Sequence, residues 1–251
     1  MDTTHAKKKG IAMKETKEMQ EVIGVIGAMD EEIDPLLEAA QVKSRRVVAG
    51  MEYCAGTMEG KPVVIVKCGM GKVNAGICAN TLVNDFGCTK VINTGAAGSL
   101  DNQINIGDVV VSVDAVQHDF DVSTIGFKKG EIPFTGLYAF PADEAMRSAA
   151  IEAVKLATPE VGVFEGRVCS GDQFISTSEQ KEQITSNFGG MCSEMEGAAI
   201  AQACYLNDTP FVVIRVISDK VDGSQAVEFD AFKAEAGARS AKVVRRMVQS
   251  L

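Results

Sequence analysis

Tryptophan is absent from the 251 residues, histidine occurs twice and proline six times. His5 lies in a polar stretch, so a Ser-His-Asp hydrolase would rest on His118 alone, and chemistry is expected from carboxylates instead. The seven cysteines are odd in number and dispersed, and none forms a Cys-x-x-Cys pair, which excludes zinc ribbons and dithiol redox motifs. No metal or cofactor is implied. No secretory signal is read, so free thiols in a reducing cytoplasm are the simplest expectation. No apolar run approaches the ~20 residues of a membrane span. Basic residues are outnumbered 25 to 34 by acidic ones, a net charge of −9, which argues against a nucleic-acid binder.

What is present is an ordinary globular mixture, 46% hydrophobic and 24% charged, with enough apolar side chain to offset the ordering entropy of a core. Residues 1–21 (MDTTHAKKKGIAMKETKEMQE) are polar and nearly aperiodic and are expected to be a disordered extension. The apolar run after them is too short for a signal peptide and is followed at once by Asp30, Glu31 and Glu32.

Residues 22–251 alternate between strand and helix patterns, with no linker or composition break. The run VIGVIGA (22–28) suits a strand covered on both faces. Acid-opened residues 30–40 suit a helix. Segments 47–57 and 61–68 read as a hairpin around Met58-Glu59-Gly60. Further strands are expected at 90–94, 108–113, 163–169 and 211–217. Helices are expected at 72–86, 142–158, 178–188, 194–206 and 228–251. Such alternation predicts a mainly parallel, twisted sheet with helices on both faces, and ligands collect at the carboxyl ends of such strands.

Those ends carry Gly27-Ala28-Met29-Asp30-Glu31-Glu32, Gly69-Met70-Gly71-Lys72, Gly95-Ala96-Ala97-Gly98, Ser170-Gly171-Asp172-Gln173-Phe174-Ile175, Glu194-Met195-Glu196-Gly197 and Ser218-Asp219. Neither glycine pair completes a dinucleotide fingerprint or a P-loop. Asp219 ends an otherwise buried strand, where an acid costs free energy unless paired. Glu194 and Glu196 stand two apart in an apolar segment, and Arg215, in the middle of FVVIRVI, needs one of these acids as partner.

Taken in order, GAMDEE, GMGKVNAG, INTGAAG, VSGDQFI, EMEGAAIA and FVVIRVISD resemble the 5′-methylthioadenosine/S-adenosylhomocysteine nucleosidases of the nucleoside phosphorylase/hydrolase superfamily. The resemblance covers about residues 22–251. It implies one three-layer α/β domain with a twisted mixed central sheet flanked by helices, nucleoside phosphorylase-like. The implied reaction is hydrolysis of the N-glycosidic bond of 5′-methylthioadenosine, S-adenosylhomocysteine and 5′-deoxyadenosine to adenine and the 5′-substituted ribose. Adenine is a poor leaving group until a ring nitrogen is protonated, and water must attack an oxocarbenium-like carbon from the opposite face. One neutral and one ionised acid are therefore needed.

By resemblance, Glu32 is the base that activates water, and Asp219, held by Ser218, is the acid that protonates adenine N7. Arg215 steadies Glu32 or Glu194. Glu196 accepts the ribose hydroxyls with Met195 packed on the sugar. Phe174 stacks on adenine and Ile175 offers backbone groups to its edge. Ala97, Gly98 and Glu194 join the lining. Met29, Met70 and Phe229 form an apolar wall around the 5′ thioether. A homodimer is implied, whose partner subunit closes the 5′ pocket with the segment holding Ile125, Phe127 and Pro133. Residues 119–141, long and patternless, fit an interface or lid. His118 is read as structural, near that interface.

Two departures from the family pattern stand out. Ala96 replaces a frequent serine, and Ile125 and Phe127 replace more aromatic or polar residues, which leaves the preferred 5′ group open. A phosphate-dependent nucleoside phosphorylase and an (aminodeoxy)futalosine hydrolase are the neighbouring alternatives. A non-catalytic nucleoside-binding module would have no need of both Glu32 and Asp219.

Overall fold

The computed structural model describes residues 21–133, 135–221 and 229–251, the side chains of 229–231 excepted. The expectation for the N-terminal extension therefore lies outside the described residues, apart from Glu21, which pairs with Lys90 at 2.8 Å.

Strand β1 (Ile23–Gly27) leads into α1 (Asp30–Ala39). Strands β2 (Gln41–Val48), β3 (Met51–Met58) and β4 (Lys61–Lys67) follow as antiparallel neighbours. Next come α2 (Lys72–Phe86), β5 (Lys90–Ser99), β6 (Val109–Gln117), a 3-10 turn at Ser123–Ile125 and β7 (Phe140–Pro141). The chain continues through α3 (Glu144–Ala157), β8 (Val163–Ser170), α4 (Ser178–Phe188), β9 (Cys192–Glu194), α5 (Gly197–Leu206), β10 (Phe211–Asp219) and α6 (Phe229–Ser250).

The sheet is mixed and runs β10-β6-β8-β9-β5-β1-β4-β3-β2, with β7 beside β6. β10 also pairs with β5, so β5, β10, β6, β8 and β9 close into a ring at one end of the sheet. Alternation along the strands divides the apolar side chains between two cores. Ile26, Val91, Val213 and Ile217 pack with α2 and α5 on one face. Ile23, Val25, Ile92, Val212, Ile214 and Val216 pack with α1, α3 and α6 on the other.

Several elements differ from their sequence patterns: β6 runs on to Gln117, and β7 and β9 are short strands that the pattern does not mark. The expected strand 47–57 is two strands, because Ala49 and Gly50 both take positive φ (50° and 79°) and turn the chain between β2 and β3. The expected strand 90–94 runs on to Ser99. Its Gly95-Ala96-Ala97-Gly98 stays extended because β10 pairs along it, with Arg215 opposite Gly95 and Asp219 opposite Gly98. The expected helix 194–206 starts only at Gly197; Glu194 ends β9 and pairs beside Ser170 of β8.

One close contact sets the position of α1. Pro35 lacks the amide that would bond to the Glu31 carbonyl inside the helix. Gly237 of α6 lies against that carbonyl, so closely that a Cβ there would stand 1.8 Å from the oxygen. The absence of a side chain at Gly237 thereby lets the first turn of α1, which carries Glu32, pack directly against α6.

Candidate active site

Glu32 occupies the third position of α1 and bends back to cap it. Its Oε2 accepts from the amide of the N-cap residue Met29 at 3.1 Å, which a helix start leaves unbonded, and from that of Ala28 just before it at 2.7 Å. Its Oε1 accepts from the Ala96 amide of β5 at 3.0 Å. The residue is 4% exposed. Burial pushes its pKa up, and neither the charge of Arg215 nor the three amides cancels that rise.

Glu194 and Arg215 form an ion pair buried between β9 and β10. Glu194 also accepts from the Ser170 hydroxyl, and from the amides of Glu196 at 3.1 Å and Gly197 at 2.8 Å. Arg215 reaches Asn93 Oδ1 at 2.5 Å. Burial alone would raise the Glu194 pKa; Arg215, Ser170 and the amides outweigh it and hold the carboxyl below its usual range. Glu196, at the start of α5, accepts instead from the Gly71 amide at the N-terminus of α2, at 2.8 Å. Burial, and then the nearby charge of Glu194, push its pKa up to about 7. Because one glutamate sits on a strand and the other at a helix start, the first turns into the ion pair and the second into the open cleft.

Asp219 ends β10 beside Gly98. Ser218 Oγ donates to its Oδ2 at 2.9 Å and also lies 3.2 Å from the Ala97 carbonyl. Its other oxygen meets the ammonium of Lys181, a buried residue of α4. Sequence reasoning missed Lys181, although its spacing three residues before Ile184 and seven before Phe188 puts it on the buried face of α4 and was the signal that could have found it.

These groups surround one cleft of about 760 Å³, including the solvent at its mouth. Of the residues expected from sequence, Met29, Glu32, Met70, Gly98, Phe174, Ile175, Glu194, Met195, Glu196, Ser218 and Asp219 line it. Phe174 and Met70, each 65% exposed, form its open apolar edge. Ala97 is buried beside the cleft, and Arg215 lies behind it, 1% exposed. The side chain of Phe229 lies outside the described residues. Ile125, Phe127 and Pro133 do not line the cleft of their own chain, and Ile125 is 70% exposed. Ala28, Gln173 and Ser193 also line it; they were not singled out, although each adjoins a residue that was. His118 packs edge-on against Phe188 and lines a separate polar cleft that shares Gln173 and Ile175 with this one. Among the described residues no group of three or more His, Cys, Asp or Glu side chains is arranged to hold a metal ion, and no helix is long and apolar enough to cross a membrane.

A family model of the phosphorylase superfamily matches residues 22–249. The 5′-methylthioadenosine/S-adenosylhomocysteine nucleosidase of Shewanella denitrificans is 40% identical over 230 residues, 91% of this chain and 99% of that protein. The crystal structure of the nucleosidase of that name from Neisseria meningitidis, in complex with methylthio-immucillin-A, aligns with a TM-score of 0.87 at 36% identity, over 92% of this chain and 100% of that one. The futalosine hydrolase of Helicobacter pylori aligns with a TM-score of 0.86 at 34% identity, over 93% of this chain and 99% of that one. The chain belongs to the 5′-methylthioadenosine/S-adenosylhomocysteine nucleosidase family of the phosphorylase superfamily.

Proposed function

We propose that this protein hydrolyses the N-glycosidic bond of 5′-methylthioadenosine, S-adenosylhomocysteine and 5′-deoxyadenosine, releasing adenine and the 5′-substituted ribose. One observation carries the reading: Glu32 and Asp219 line the same cleft from either side of β5, one after β1 and the other at the end of β10. Glu32 activates the attacking water. Three amides fix its carboxylate, and its burial makes it a better base than an exposed glutamate. Asp219 delivers the proton to the purine, with Ser218 holding one of its oxygens. Phe174 stacks on the base, Ile175 meets its edge, and Glu196 accepts the ribose hydroxyls in ionised form. Met29, Met70 and Met195 wall the sugar and the thioether. Arg215 acts from behind: it neutralises Glu194, whose carboxylate takes the two amides that open α5 and so sets the direction of Glu196. Gly98 completes the lining, with Ala97 buried beside it.

Hydrolysis is favoured over phosphorolysis by the state of the amides after β1. Phosphate needs cations or a nest of free N–H groups. Here the amides of Ala28, Met29 and Ala96 already bond to the Glu32 carboxylate. The same reading makes residues 22–251 the catalytic unit, residues 1–21 an extension to it, and the working form a homodimer in which the partner brings Ile125, Phe127 and Pro133 to the 5′ end. It places the protein in the cytoplasm, in methionine salvage. The seven buried, unpaired cysteines suit a reducing compartment.

The test is incubation with each nucleoside and with futalosine, with and without phosphate, while free adenine or hypoxanthine is followed. Adenine release from the thio-nucleosides without phosphate is expected. A requirement for phosphate, or turnover of futalosine alone, overturns the reading.

A further inference from the structure

Lys181 is 3% exposed, and its ammonium makes two contacts, with the Asp219 carboxylate and with the Lys220 carbonyl at 2.7 Å. Burying a lysine is costly unless it is paired. This one is spent entirely on the end of β10. It stands in the first turn of α4, directly after the loop that carries Phe174 and Ile175. Ser178 of the same turn donates to the Val221 carbonyl at 3.2 Å, a second tie between α4 and the residues after β10. Asp219 is therefore held on both oxygens, by Lys181 on Oδ1 and by Ser218 on Oδ2. The Ser218 hold comes from its own strand; the Lys181 hold comes from the element that follows the base-stacking loop.

We propose that Lys181 is a positioning residue for the acid of the reaction: its ammonium donates to Oδ1 of the protonated Asp219 carboxyl, whose proton sits on Oδ2 and passes from there to the purine, and it ties that carboxyl to the loop that grips the base. The proposal rests on the acid role of Asp219 given above. A helix lysine that merely covered a carbonyl would act on fold stability alone. A lysine that acts through Asp219 affects turnover, and only while Asp219 is an acid.

The experiment is a double-mutant cycle on the full chain, comparing wild type, Lys181→Met, Asp219→Asn and Lys181→Met/Asp219→Asn, with Lys181→Arg as the charge-conserving control. Lys181→Met is expected to lose between about 10- and 100-fold in kcat, the scale of a misplaced catalytic group, with KM within about 3-fold. Lys181→Arg is expected to restore most of that loss. In the Asp219→Asn background the methionine substitution is expected to change kcat less than about 2-fold, because residues that act as a unit are not additive. The same loss in both backgrounds overturns the proposal, as does a kcat unchanged in Lys181→Met. Should Lys181→Met alone fail to fold, Lys181→Gln takes its place in the cycle; the double variant leaves no carboxylate facing an apolar side chain. Undiminished turnover in Asp219→Asn alone overturns the acid assignment, and the Lys181 proposal falls with it.

Discussion

The amide of Ala96 donates to Glu32 Oε1 at 3.0 Å, although the two residues lie 64 apart in the chain. The contact depends on the residue before it. A Cβ on Gly95 would stand 2.5 Å from the same oxygen. Gly95→Ala is therefore expected to drive the Glu32 carboxylate off its three amides and to lower kcat by at least about 10²-fold. Steady-state kinetics beside a thermal melt checks this. A variant that melts lower and turns over normally would show that Glu32 tolerates displacement.

Asp219→Asn removes the transferable proton and keeps the shape. Its kcat is expected to fall by at least about 10²-fold, the lower end for a positioned acid. The check is the adenine release rate at saturating substrate.

The pair of Arg215 and Glu194 has nearly no access to water, with side chains 2% exposed on each side. Arg215→Met leaves a buried carboxylate without its countercharge and is expected to destabilise the fold by about 3–5 kcal/mol. Urea unfolding at pH 7 measures it. The loss is expected to shrink in the double variant Arg215→Met/Glu194→Gln, where no charge is left behind.

Glu196 gives a pH signature. Its pKa, about 7 in the folded state, lies above its ordinary value because it is buried near Glu194. An acid raised on folding costs the folded state nothing while it is protonated in both states. The cost grows as pH rises from the unfolded pKa to the folded one. Glu196→Gln keeps an acceptor for the Gly71 amide and loses the charge. Its stability relative to wild type is expected to improve by roughly 2–3 kcal/mol between pH 5 and pH 8. Its kcat/KM is expected to lose the rise through about pH 7 that ionisation of Glu196 gives the wild type. Denaturation curves at the two pH values show the first effect, and a pH–rate profile the second.

For the proposed dimer, Ile125→Glu places a charge on an exposed apolar residue of the 119–141 segment. Sedimentation is expected to show weaker self-association. KM is expected to rise by about 10-fold or more, the value of one buried aliphatic side chain. A monomeric wild type with the same KM as the variant would refute the shared pocket.

Local pattern determined most of the elements and the identity of the chemistry. Alternation of short apolar runs with acid-opened helices specifies an α/β sheet, since burial on both faces of a strand leaves that imprint residue by residue. The strand-end acids were legible because a carboxylate in an apolar run costs free energy unless something uses it. The spans of α2 and α4 needed nothing else. What the sequence could not hold was the effect of pairing between distant segments. Gly95 to Gly98 look like a turn, and only the pairing with β10 keeps them extended. Glu194 and Glu196 look like helix neighbours. The short pairing of β9 with β8 puts the first on a strand, turned into Arg215, and leaves the second at the helix start, facing the cleft. The spacing of Lys181 with Ile184 and Phe188 marks it as a buried-face residue of α4, but its partner is decided by which strand end the helix lands on. Residue types determined which chemistry was available; contacts across scores of residues decided which acid is paired, which is held by amides, and which one meets a buried cation.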